Sequence, residues 1–125
     1  MRRTFVASLA AVILVLGVAA CGGSDDGGSY QEPKGKPVAT LKVKSGNLYF
    51  DPEKLTAPPG IIAIRLTNVE SGVHDLRIRD VPGFDVRVSG DGDSNEKKVD
   101  LKAGKYDYYC SIPGHDQMKG VLTVR

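Results

Sequence analysis

Histidine is scarce in this chain, with two residues, His74 and His115, in 125. Cysteine and methionine are as rare, two of each, and one methionine is the initiator. The chain therefore has no His-rich or Met-rich tract of the kind that marks a metal-handling segment. It also lacks an excess of one charge. The 17 Lys and Arg against 15 Asp and Glu give a net +2, and removing Arg2 and Arg3 makes the two signs equal in number. With no basic face, nucleic acid is not an expected partner. The local cluster Lys97-Lys98, Lys102 and Lys105 reads as a solvated edge. No window shows helical periodicity, and there is no internal repeat. The Gly90-Asp91-Gly92-Asp93 loop lacks the ligand spacing and terminal Glu of a calcium loop. The apolar run from Phe5 to Ala20 is shorter than the roughly 20 residues of a spanning helix.

What is present begins with that run. Arg2-Arg3 followed by apolar residues is the layout of an export signal. It ends in Val18-Ala19-Ala20-Cys21, and the stretch Leu16 to Cys21 resembles a bacterial lipobox. The resemblance implies a signal peptide over 1–20, cleavage before Cys21 and lipid on its sulfur. The alternatives are an ordinary secretory signal that leaves Cys21 free, or a Cys21–Cys110 pair tying a flexible tail to the core. Lipidation would anchor the protein on the outer face of the cell membrane, because several acyl chains hold where one binds marginally. Residues 21–37 then read as the lipidated Cys and a linker dominated by Gly, Ser, Pro and charge. Such a stretch buries too little apolar surface to order itself.

Residues 38–125 read as one all-β domain. Val38 to Lys44 alternates apolar and polar, and Leu48-Tyr49-Phe50 resumes after a Ser-Gly-Asn turn. Asp51-Pro52 and Pro58-Pro59-Gly60 break the pattern. Ile61 to Asn68 is strongly β-branched and predicts a central strand. Val73 to Arg79, Glu96 to Leu101, Lys105 to Cys110 and Gly120 to Arg125 follow, with loops at Pro82-Gly83 and Gly90–Asp93. Short strands at this spacing predict a β-sandwich or barrel.

The chemistry sits at the end of the chain. Tyr109-Cys110-Ser111-Ile112-Pro113-Gly114-His115-Asp116-Gln117-Met118 brings a thiolate, an imidazole and a thioether into one loop. Both histidines of the chain enter the candidate set once His74 is added. Two His, one Cys and a weak Met form the donor set of a mononuclear electron-transfer copper site. Thiolate favours Cu(I), imidazole suits Cu(I) and Cu(II), and a thioether completes the site without imposing a square plane. Pro113-Gly114 is a turning pair that can bring His115 round to face Cys110. Each residue alone has a plainer reading: a buried Cys is usually a small hydrophobe, and a Met beside a strand usually packs the core. The combination reverses that reading. Zinc competes for Cys, His and His, and the thioether favours copper.

This loop, with His74-Asp75 upstream, resembles the cupredoxins, the blue-copper proteins related to plastocyanin and azurin. The resemblance spans about 38–125 and includes the Tyr106-Asp107-Tyr108-Tyr109 run. It implies a Greek-key β-sandwich with one copper at one end. His74, Cys110 and His115 would be the strong ligands and Met118 the weak axial one. Two departures stand out. Only Asp116 and Gln117 separate His115 from Met118, where the family often has three or four residues. That spacing is closer to the two-copper domains of cytochrome oxidase subunit II, but those need two cysteines in the loop. Asp75 stands where many members have Asn. It is expected, with Ser111 near it, to tie the ligand loops by hydrogen bonds, and its charge to lower the reduction potential.

The function this implies is a membrane-tethered electron carrier, a monomer shuttling single electrons between extracytoplasmic or membrane redox proteins. The alternative is an extracytoplasmic copper chaperone or buffer. A copper enzyme would need further ligands, which two histidines do not supply.

Overall fold

The computed structural model describes residues 29–125. The signal reading over 1–20, the lipidation reading at Cys21 and the first part of the linker lie outside the described residues. Nine strands form: β1 (Ala39–Gly46), β2 (Tyr49–Asp51), β3 (Lys54–Ala57), β4 (Gly60–Asn68), β5 (Val73–Ile78), β6 (Val86–Ser89), β7 (Ser94–Leu101), β8 (Gly104–Tyr109) and β9 (Lys119–Val124). There is no helix among the described residues. One sheet runs β2-β1-β4-β7 and the other β3-β9-β8-β5-β6. Their inner faces close on Val43, Ile62, Leu66, Leu76, Tyr108 and Leu122, each at most 1% exposed. The chain is an all-β sandwich. β1 and β4 are parallel, as are β3 and β9, so each sheet joins strands distant in sequence.

β4 is central, flanked by β1 and β7. Its apolar face is continuous with the core, and Ala63 on the other face is also buried. Ala63 is a methyl set in register between Thr40 and Lys98, whose longer side chains flank it. β3 and β6 go beyond the strands that the patterning predicts. Both are four-residue edge strands between Pro- or Gly-rich breaks, where proline is tolerated because one edge needs no ladder.

The linker reading changes over its second half. Tyr30 stacks edge-on against Phe84 at 5.3 Å, and its hydroxyl donates to the Lys98 carbonyl at 2.7 Å. The Lys98 amide donates to the Glu32 carboxylate at 2.6 Å, and Lys98 Nζ donates to the Gly35 carbonyl at 3.0 Å. The first two of these bonds occupy the Lys98 carbonyl and amide on β7, the open edge of its sheet, which would otherwise offer a template for another chain. One aromatic and one carboxylate are enough to lay this segment on the domain despite its composition.

Candidate metal centre

β5 does two things along its length. Its second half pairs with β8, Arg77 opposite Tyr109 and Ile78 opposite Tyr108. Its first half, Val73 to Leu76, pairs with β6 instead. Carried two residues further, the β5–β8 register sets Asp75 opposite Ser111. There the backbone ladder is replaced by a side chain. The Ser111 amide donates to Asp75 Oδ1 at 2.6 Å, and the Ser111 hydroxyl donates to Asp75 Oδ2. His74, beside Asp75, is thereby brought next to the loop that begins at Cys110.

That loop is a closed turn. The Cys110 amide donates to the Met118 carbonyl at 3.1 Å, so its two ends are tied at the neck. Inside, the His115 amide donates to the Ile112 carbonyl and the Met118 amide to the His115 carbonyl, at 3.1 and 2.9 Å. Gly114 has φ +85°, a conformation open to glycine, which reverses the chain just before His115. Cys110 lies one residue past β8 rather than at its last position.

The structure brings His74, Cys110 and His115 together. One donor atom from each lies within 4.8 Å of the others. Cys110 Sγ is 3.6 Å from His115 Nδ1, and the two imidazoles are 4.9 Å apart between centroids. His74 is 1% exposed and Cys110 5%, while His115 is half-buried. Met118 is fully buried at the foot of the loop.

Two observations test whether a metal suits these residues. His74 Nε2 is engaged by the Glu70 carboxylate, but His74 Nδ1 is buried with no hydrogen-bond partner among the described residues. A buried polar atom left unpaired costs about 1–3 kcal/mol. A cation facing that lone pair removes the cost. The second observation is the thiol. Burial pushes the Cys110 thiol up, against the opposing pull of the Asp75 and Ile112 amides aimed at it. A metal held there would take the thiolate form, so its binding would be coupled to proton release. A thiol and two imidazole nitrogens, converging and mostly dry, suit a borderline-soft ion.

Asp75 is buried among four bonds. Burial alone would raise its carboxyl, but the Ser111 hydroxyl and amide, with Arg77, hold it below the usual carboxylate value. Arg77 Nε reaches it at 3.3 Å and Arg87 at 3.5 Å. The charge is thus fixed beside the loop neck. Glu70, Asn68 and Gly72 also build the site and carry no motif that marks them in the sequence. Asn68, 0% exposed, points Nδ2 at the carbonyls of Glu70, Gly72 and Gly90 at 2.8, 2.7 and 3.0 Å. The only available signal was an Asn closing an apolar strand just before a Glu-Ser-Gly turn.

The Cupredoxin-like domain family matches residues 8–124. The chain belongs to this family. Cupredoxins bind one copper, and the convergent His74, Cys110 and His115 are a possible site for it. Among solved structures the chain is similar to dithionite-reduced auracyanin from Roseiflexus castenholzii, at 22% identity and TM-score 0.63. That match covers 72% of this chain and 99% of that one. Auracyanin A, a "blue" copper protein from Chloroflexus aurantiacus, matches at 22% identity and TM-score 0.63, covering 72% and 100%. Amicyanin from Paracoccus versutus matches at 19% identity and TM-score 0.57, covering 76% and 96%. At these identities the likeness is one of cupredoxin fold. No curated protein matches the chain.

Proposed function

We propose that this cupredoxin is a one-electron carrier, tethered through a lipidated Cys21 to the outer face of the cell membrane and passing electrons between membrane or extracytoplasmic redox proteins. The observation that carries the reading is the convergence of the Cys110 thiol with the His74 and His115 imidazoles, with the buried Nδ1 of His74 left without a hydrogen-bond partner. His74, Cys110 and His115 would hold one copper, with Met118 as a weak fourth donor. Copper supplies the electron that is gained and lost.

The chain's own residues supply the rest. Donors from β5 and from the Cys110–Met118 loop are locked to each other by Asp75 and Ser111. Such a frame resists rearrangement when the charge on the ion changes. Burial of His74 and Cys110 keeps water from the ion and strengthens each electrostatic contact. His115 is the half-buried member, beside exposed Pro113 and Gly114. It offers the shortest route to a partner. Val69 and Val73, 42% and 38% exposed in and beside the β4–β5 connection, give that end further apolar surface for docking. No helix among the described residues is long and apolar enough to cross a membrane, and membrane attachment in this reading rests on the lipobox-like stretch Leu16 to Cys21.

The test is the purified protein loaded with copper. An intense thiolate-to-copper absorption band, absent in Cys110→Ala, is expected, with reversible one-electron cycling and the metal retained. A colourless copper complex contradicts the site. Ready release of copper to an acceptor during cycling contradicts the carrier role and favours copper delivery.

A further inference from the structure

We infer that Glu70 is a positioning residue for the metal centre: its carboxylate, seated on His74 Nε2 in a loop shaped for that contact, fixes the His74 tautomer and biases bound copper toward its oxidised state. The inference rests on the copper reading above and concerns how this chain tunes that site.

The contact is built rather than incidental. The loop between β4 and β5 is pinned by Asn68, whose Nδ2 donates to the Glu70 and Gly72 carbonyls. Asn68 Oδ1 in turn accepts from Ser45 Oγ at 3.1 Å. The Gly90 amide donates to the Gly72 carbonyl at 3.1 Å and closes the loop from the other side. Gly72 leaves the space the carboxylate occupies. A Cβ there would stand 2.9 Å from Glu70 Oε1 and 3.6 Å from His74 Nε2. Glu70 itself is 29% exposed, so the core does not depend on it.

The chemistry follows from donor inventory. An ionised carboxylate only accepts, so Nε2 carries the imidazole proton. In the neutral imidazole Nδ1 then carries the lone pair, and Nδ1 is the buried atom without a hydrogen-bond partner in a residue whose donor clusters with those of Cys110 and His115. A carboxylate behind a ligating imidazole orients the ring and raises its basicity. A more basic ligand stabilises the higher charge on the ion more than the lower one. Glu70 reaches the neutral imidazole from the partly exposed side, where water can take the Nε2 proton once the carboxylate is removed, so the larger effect is expected on the metal and not on folding.

Three variants test this: Glu70→Gln keeps an acceptor without the charge, Glu70→Ala removes both, and Gly72→Ala displaces the carboxylate. In each, Cu(II) affinity should fall by about ten- to a hundredfold and Cu(I) affinity by less. The midpoint potential should therefore rise, most in Glu70→Ala. In the metal-free protein, nitrogen NMR should find His74 wholly in the Nε2–H tautomer, and mixed in Glu70→Ala. An unchanged potential and tautomer in both Glu70 variants overturns the role of Glu70 and leaves the copper site intact. Absence of the thiolate-to-copper band in the unsubstituted protein overturns the copper reading, and this inference with it.

Discussion

The two ends of the sandwich are built on opposite principles. The buried polar and charged residues among those described are Ser45, Asn68, His74 and Asp75. They close β1, close β4 and open β5, all at the end where Cys110 emerges from β8. The other end is filled by Ile62, Val99, Leu101, Val124 and their neighbours. Apolar burial is roughly proportional to area and tolerates imprecision. Polar burial is favourable only when each atom is paired. At the polar end the pairing is nearly complete: Ser45 with Asn68, Asn68 with three carbonyls, Asp75 with Ser111 and two arginines. His74 Nδ1 is the exception there. The other unpartnered atom, Asp85 Oδ1, belongs to a carboxylate whose second oxygen holds Arg77. An almost fully satisfied network with one bare acceptor, in a residue clustered with a thiol and a second imidazole, suits a cation.

Substitutions at each end should separate stability from colour. Ile62→Ala in the apolar half should cost about 2–5 kcal/mol in denaturant unfolding, through lost burial and the cavity left behind. The copper band of the fraction still folded should be unchanged. A shifted band would mean that the two ends are not independent. Asn68→Ala should cost less, about 1–3 kcal/mol for the carbonyls left unpaired. It should nonetheless alter the copper spectrum, because the loop carrying Glu70 and Gly72 loses its anchor. A stability loss with an unaltered spectrum would assign Asn68 to folding alone. Tyr30→Phe is the mildest, about 0.5–1.5 kcal/mol for one hydroxyl bond, with no effect on copper. Burial, then the charges of Glu32 and Asp100, hold the Tyr30 hydroxyl above its ordinary value. The released segment therefore loses its proton first, and docking weakens as pH rises past about 10. The Phe variant should show no such alkaline loss in proteolysis of the 29–37 segment.

Much of this was legible in the residues. The ligand types sit in one loop and at one strand start, and β-branched alternation marks β1, β4 and β5. The two edge strands were hidden because four residues between prolines and glycines carry too short a pattern, and their pairing comes from β9 and β5. Tyr30 was hidden because its partners, Phe84 and Lys98, are far away in sequence. Glu70 was hidden for a related reason. A Glu-Ser-Gly turn looks like any turn until Asn68 and Gly90 fix its shape against His74.

The most direct test of the account is the anomalous scattering signal of copper in crystals of the loaded protein. One peak bounded by His74 Nδ1, Cys110 Sγ and His115 Nδ1, with Glu70 still on His74 Nε2, is the predicted result. A peak that leaves His74 Nδ1 bare, or that is reached through His74 Nε2, would contradict it.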